Sequence, residues 1–137
     1  MYRFLIALLV STALAAPLQA EEDHRSAGIE KTIQSQIDAF LVDDFATAFT
    51  FASPTIKRLF GSADRFGSMV RNGYPMVWRP SEVQFLELRR QGPFLFQKVL
   101  LRDSNGTPHV LEYNMIESGS GWQIDGVQLL AAPPIGA

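Results

Sequence analysis

Asp38 is the residue whose setting most resembles that of an acid–base catalyst. It follows Ile37 and stands two positions before Phe40, inside a segment with helical apolar spacing. A carboxyl group turned toward an apolar interior loses hydration, so its pKa rises and it becomes competent as a general base. The same spacing fits an aspartate on the solvated face of a helix, and that reading is favoured because ionised side chains are seldom buried without a partner. Other catalytic groupings are poorly supported. The chain has 2 histidines and no cysteine. His24 lies in a charged N-terminal stretch and His109 between a turn and a strand, so neither a metal site nor a nucleophile–histidine system is indicated. Asp103-Ser104-Asn105-Gly106 looks like the start of a calcium loop. It lacks the later spaced acids and reads as a hairpin turn. No cofactor motif is present, and no motif names a reaction.

The elements that would position such groups are legible. Ile29, Ile33, Ile37, Phe40 and Leu41 recur at helical spacing, with Lys31, Gln34, Gln36 and Asp38 between them, which predicts an amphipathic helix. Asp43-Asp44 is a cap for a second helix carrying Phe45, Ala46, Ala48 and Phe49. Ser53-Pro54 starts a third through Ile56, Leu59 and Phe60, and Gly61 stops it. Ser62 starts a fourth through Phe66, Met69 and Val70, ended by Gly73. Gly61 and Gly73 are natural positions for positive φ at helix ends.

From Pro80 the pattern changes to strands: Glu82 to Arg90, Phe94 to Arg102, Val110 to Glu117 and Trp122 to Leu130. Gly92-Pro93, the Asp103 turn and Gly119-Ser120-Gly121 separate them, so antiparallel hairpins are expected. Alternation groups Leu111, Tyr113 and Met115 on one face of the third strand, and Glu112, Asn114 and Ile116 on the other. On the second strand it groups Phe94, Phe96 and Leu100 with Lys98. Asp125 beside Gly126 inside a strand pattern predicts a bulge or a close backbone approach. Helices followed by a meander give an α+β domain, with the helices on one face of an antiparallel sheet of about four strands.

The N-terminus reads as an address. Arg3 is followed by the apolar run Phe4 to Ala16, then Pro17-Leu18-Gln19-Ala20 and the acidic Glu21-Glu22-Asp23. This is the layout of a secretory signal peptide, with cleavage expected after Ala20. The apolar run is well short of the ~20 residues that span a bilayer, so a stable membrane anchor is not expected. Glu21 to Gly28 reads as a short mobile mature N-terminus, residues 29–130 as one domain, and 131–137 as a tail. Losing Arg3 from 12 basic residues against 14 acidic ones leaves the mature chain at about −3. With no basic stripe, nucleic-acid binding is disfavoured. An exported chain without cysteine takes its stability from its core, to which 10 phenylalanines contribute.

The run from Phe45 to Ile56, the series Phe60-Gly61, Phe66, Met69-Val70, Gly73-Tyr74-Pro75 and Pro80, and the closing Trp122 to Val127 together resemble a bacterial family known as domain of unknown function 4864. That family looks like a relative of the nuclear transport factor two-like fold, a cone of helices against a curved sheet. The resemblance covers Ile29 to Leu130 and implies a Gram-negative source, hence the periplasm. It also implies a cavity between helices and sheet. Aromatics with polar tips and charged residues among apolar neighbours are the candidates to line it: Tyr74, Trp78 and Arg79 at the helix-to-sheet crossover, and Tyr113 on the third strand. The favoured function is binding of a small apolar or amphipathic ligand. The second is protein interaction or assembly, with homodimers through the outer sheet face as in related folds. The third is an isomerase or cyclase-type enzyme using Asp38 or Glu87 opposite a tyrosine, which the likeness to ketosteroid isomerases and polyketide cyclases brings in.

Overall fold

The computed structural model describes residues 16–119 and 121–130. Most of the expected leader and the whole of the expected tail lie outside them. The helices are α1 (Ala16–Leu41), α2 (Phe45–Thr50), α3 (Pro54–Phe60), α4 (Ala63–Gly73) and α5 (Pro75–Trp78). The strands are β1 (Glu82–Gln91), β2 (Phe94–Arg102), β3 (Pro108–Ser118) and β4 (Gly121–Leu130). The protein is α+β, with N-terminal helices packed on an open antiparallel sheet of order β1-β2-β3-β4.

The starts of α2, α3 and α4 are each satisfied by a side chain that the sequence supplies for it. Asp44 accepts the Thr47 amide at 3.1 Å, Ser53 that of Ile56 at 3.2 Å, and Ser62 that of Arg65 at 3.2 Å. Gly61 closes α3 at φ 79°, where other residues are disfavoured. Gly73 ends α4 as expected but without positive φ, and Tyr74 caps the helix. Pro75 then opens α5 at the first helical position, a short element the sequence spacing did not predict.

Glu21 to Gly28, expected without an element, is helical and continuous with the apolar stripe of α1. The stretch is rich in strong helix formers, and Gln19–Asp23 and Arg25–Glu21 support it at i,i+4 spacing. The fully buried stripe of α1 begins at Ile29 and continues through Ile33, Ile37 and Phe40. Gln36, which alternation with Ile37 placed among polar positions, is buried with them at 3% exposure. None of the described helices is long and apolar enough to cross a membrane.

Beneath the helices lies the inner sheet face, where Leu95, Val99, Leu101, Leu111, Tyr113, Met115 and Ile124 are buried. The opposite face carries Phe94, Phe96, Lys98 and Leu100 beside Glu112 and Asn114, as strand alternation predicts. Ion pairs cross that outer face, Arg89–Glu112 at 2.6 Å and Lys98–Glu87 at 2.7 Å, and the Arg89 guanidinium lies 4.3 Å from the Phe96 ring centroid.

Two bulges bend the sheet. In β1, Leu86 and Glu87 together oppose Lys98. The buried Gln97 amide closes this bulge by donating Nε2 to the carbonyls of Leu86 at 3.0 Å and Lys98 at 2.9 Å. In β4, Asp125 is the extra residue between Ile124 and Gly126, which pair with Met115 and Asn114. This is the bulge that the Asp-Gly pair predicted. On the far side of β4, Ile124 makes a parallel bridge to Ala52, donating to the Phe51 carbonyl and accepting from the Ser53 amide, each at 2.8 Å.

Candidate ligand-binding cleft

The junction of α1, α3, α4 and α5 with β4 leaves a cleft of ≈ 240 Å³. Its formation follows from the bridge just described. Ala52 and Ser53 are pinned to Ile124, so α3 departs from the edge of β4 rather than lying on the core, and none of its side chains is fully buried. Ile56, Leu59 and Phe60 of α3 wall one side. Leu59 is 71% exposed and marks the rim. Across from them stand Phe40 of α1, Phe66 and Val70 of α4, and Ile124 and Val127 of β4. Phe66 is the hub of the aromatic wall, with ring centroids 5.8 Å from Phe40, 5.2 Å from Phe49 and 5.7 Å from Phe60.

Only two lining side chains carry hydrogen-bonding groups, Gln36 and Tyr74, and none is charged. A larger hollow of ≈ 450 Å³ lies between the start of α1 and strand β1. It is lined chiefly by ionic and polar side chains, including Glu22, Asp23, Arg25, Arg89 and Arg90, and offers little of the apolar surface on which small-molecule sites depend.

The four residues expected to bind ligand separate into three environments. Tyr74 lines the cleft. Trp78 and Arg79 instead clasp the turn after α1. The Trp78 indole N–H and an Arg79 guanidinium N–H both reach Asp43 Oδ1 at 2.9 Å, and Arg79 also donates to the Phe40 carbonyl. The guanidinium sits 4.2 Å from the Trp78 ring centroid. The clasp holds Asp43 at φ 56°, a left-handed conformation that aspartate tolerates better than most residues. The Trp78 hydrogen bond, then Arg79, holds the Asp43 carboxyl below its ordinary pKa. Tyr113 is sealed in the core at 0% exposure, its hydroxyl has no partner among the described residues, and burial pushes its pKa up.

Neither candidate carboxylate reaches the cleft. Asp38 is exposed on α1 and accepts from Gln34 Nε2 at 2.9 Å. Glu87 is exposed on the outer sheet face, where its hydrogen bond to Lys98 lowers its pKa. Glu87 is thus not a base of raised pKa, and Asp38 does not face the apolar interior that a general base would need. Among the described residues, no cluster of three acidic or histidine side chains could hold a metal ion.

Gln36 is the site residue that the sequence reading missed. The signal was its place three after Ile33 and four before Phe40, which sets it on the buried stripe.

No curated protein and no solved structure matches the chain. Residues 22–137 match the sequence model of a family described as a domain of unknown function. That span runs from within α1, at Glu22, through every later element to the end of β4, and the chain therefore belongs to the DUF4864 family.

Proposed function

We propose that this protein is an exported binding module that holds a small apolar or amphipathic molecule in the cleft beside α3. The observation that carries this reading is the composition of the cleft: aromatic and aliphatic walls, two polar side chains, no ionised one, and a rim formed by the exposed Leu59. Catalysis by Asp38 or Glu87 has no comparable support, since both carboxylates are solvated outside it. A cone of the nuclear transport factor two-like type is the architecture to which we assign the cleft.

Native mass spectrometry of the protein purified from its producing cells tests the reading. A discrete small-molecule adduct is expected, lost in Val127→Trp, which fills the cleft from β4. An adduct that persists in that variant would place the ligand elsewhere.

Export to the periplasm, with cleavage after Ala20, is part of the same proposal. It is supported by the order of basic, apolar and small residues before Glu21. Cleavage there removes only Ala16–Ala20 from α1 and leaves the buried stripe from Ile29 onward intact. It would also put Glu21, Glu22 and Asp23 in the first turn, where acids complement the helix dipole. An intact mass that does not correspond to a start at or near Glu21 would refute the cut.

A second reading, a homodimer through the outer sheet face, draws on the exposure of Phe94 at 44% beside Phe96 and Leu100. Sedimentation equilibrium distinguishes it: a strictly monomeric species excludes it.

A further inference from the structure

The deeply buried amide in the cleft specifies what its occupant must carry. Gln36 is 3% exposed and its Nε2 donates to the Ala48 carbonyl at 3.2 Å. That bond fixes the orientation of the amide, because a carbonyl oxygen only accepts. Oε1 is therefore the free end, and among the described residues it receives no hydrogen bond. Oε1 is not sealed from water, so a purely apolar guest would strip its hydration, whereas a ligand hydroxyl or N–H placed against it would replace the lost water.

Charge is excluded by the same walls. No ionised side chain lines the cleft. The two arginines flanking α5 are engaged elsewhere: Arg79 on Asp43 and the Phe40 carbonyl, and Arg71 over the rings of Phe45 and Trp78. An ionised ligand would lose its hydration without gaining a counter-charge. Size follows from volume. Benzene occupies an apolar cavity of about 150 Å³, so ≈ 240 Å³ accommodates about ten non-hydrogen atoms. The tilted rings of Phe40, Phe60 and Phe66 present both faces and edges, a setting suited to a flat aromatic guest.

We propose that the cleft binds an uncharged aromatic molecule of about ten non-hydrogen atoms whose single hydroxyl or N–H donor bonds to Gln36 Oε1. This rests on the reading of the cleft as a ligand site and narrows it to one chemical class.

Equilibrium dialysis of the purified protein against naphthol, naphthalene and naphthoate at neutral pH tests it. Naphthol is expected to bind about tenfold more tightly than naphthalene, the increment of one net hydrogen bond. Naphthoate, being ionised, is expected to bind at least about tenfold more weakly than naphthol. In Gln36→Met, the preference for naphthol over naphthalene is expected to disappear, the two binding within about threefold of each other. The ranking in the unmodified protein decides the matter even if that variant fails to fold. Equal binding of naphthol and naphthalene, or a preference for naphthoate, overturns the donor requirement while leaving the cleft a ligand site. Binding of none of the three overturns both readings.

Discussion

Ser53 Oγ donates to Asp125 Oδ1 at 2.7 Å, joining the first turn of α3 to the bulge of β4 across 72 residues. The same oxygen accepts the Ile56 amide, so one buried hydroxyl both caps a helix and anchors it to the sheet. The cleft wall formed by α3 depends on that anchor. Ser53→Ala removes both bonds and should destabilise the fold by about 1–2 kcal/mol, of which a lost N-cap is typically ~1. A double-mutant cycle with Asp125→Ala, followed by urea unfolding, should give a coupling of about 0.5–1.5 kcal/mol. Strict additivity would show that the pair contributes nothing beyond its separate members.

Two glycines of α4 should respond oppositely to alanine. A Cβ on Gly67 would stand 2.5 Å from Phe45 Cγ, near the root of a ring that cannot swing away cheaply. Gly67→Ala should therefore cost about 1–3 kcal/mol by overpacking, despite alanine's better helix propensity. Gly73 has nothing within 4 Å of the same position and no positive φ. Gly73→Ala should be neutral or stabilise by up to about 1 kcal/mol. Thermal melts of the two variants side by side decide it, and a shift of the same sign in both would contradict the packing argument.

Gln97 is a polar side chain retained in the core because of the β1 bulge. Its Nε2 serves the carbonyls of Leu86 and Lys98, while Oε1 has no partner among the described residues. Gln97→Leu strands the carbonyls but removes the orphaned oxygen. The net loss should be about 1–3 kcal/mol. Amide hydrogen exchange should speed up first around Leu86 to Leu88. Loss spread evenly over the sheet would mean that the amide is not specific to the bulge.

Acid should weaken the fold through several carboxyls at once. Glu112 is held below its ordinary value first by the Arg89 hydrogen bond, Asp43 by Trp78, Asp103 by His109 and Glu87 by Lys98. A folded-state pKa below the unfolded one means that the unfolded chain binds more protons near that pH. The stabilisation is thus complete above the unfolded values, about 4, and is lost as pH falls through the folded ones. Glu112→Gln should lower stability by roughly 1 kcal/mol at neutral pH and by progressively less in acid, because the wild-type carboxyl is then protonated too. Urea midpoints measured from neutral pH down to about pH 3 check this. A deficit that stays constant across the range would rule out the linkage.

What the sequence made legible was whatever depends on neighbours along the chain. The caps at Asp44, Ser53 and Ser62, the four strands and the Asp125 bulge all follow from local chemistry. The cleft was less accessible, because it is made where distant segments fail to fill a space. Tyr74 faces it while Trp78, four residues on, turns to Asp43, and no periodicity distinguishes the two. Gln36 was hidden by its type, since an amide beside Ile37 reads as the polar side of a helix until the stripe from Ile33 to Phe40 is drawn. Helix α5 is one short turn whose side chains are held by the core, so propensity alone does not announce it.

The Ala52–Ile124 bridge has a consequence for assembly. It occupies the free edge of β4 partway along its length, so a full-length strand from another molecule cannot add there. Among the described strands, β1 is left as the single edge open to such an addition, and it bears the charged Glu82, Glu87, Arg89 and Arg90. A sheet with one open edge can pair once and then terminates. Its geometry is that of a chain-stopper, and edge-to-edge growth into a filament ends at the second copy.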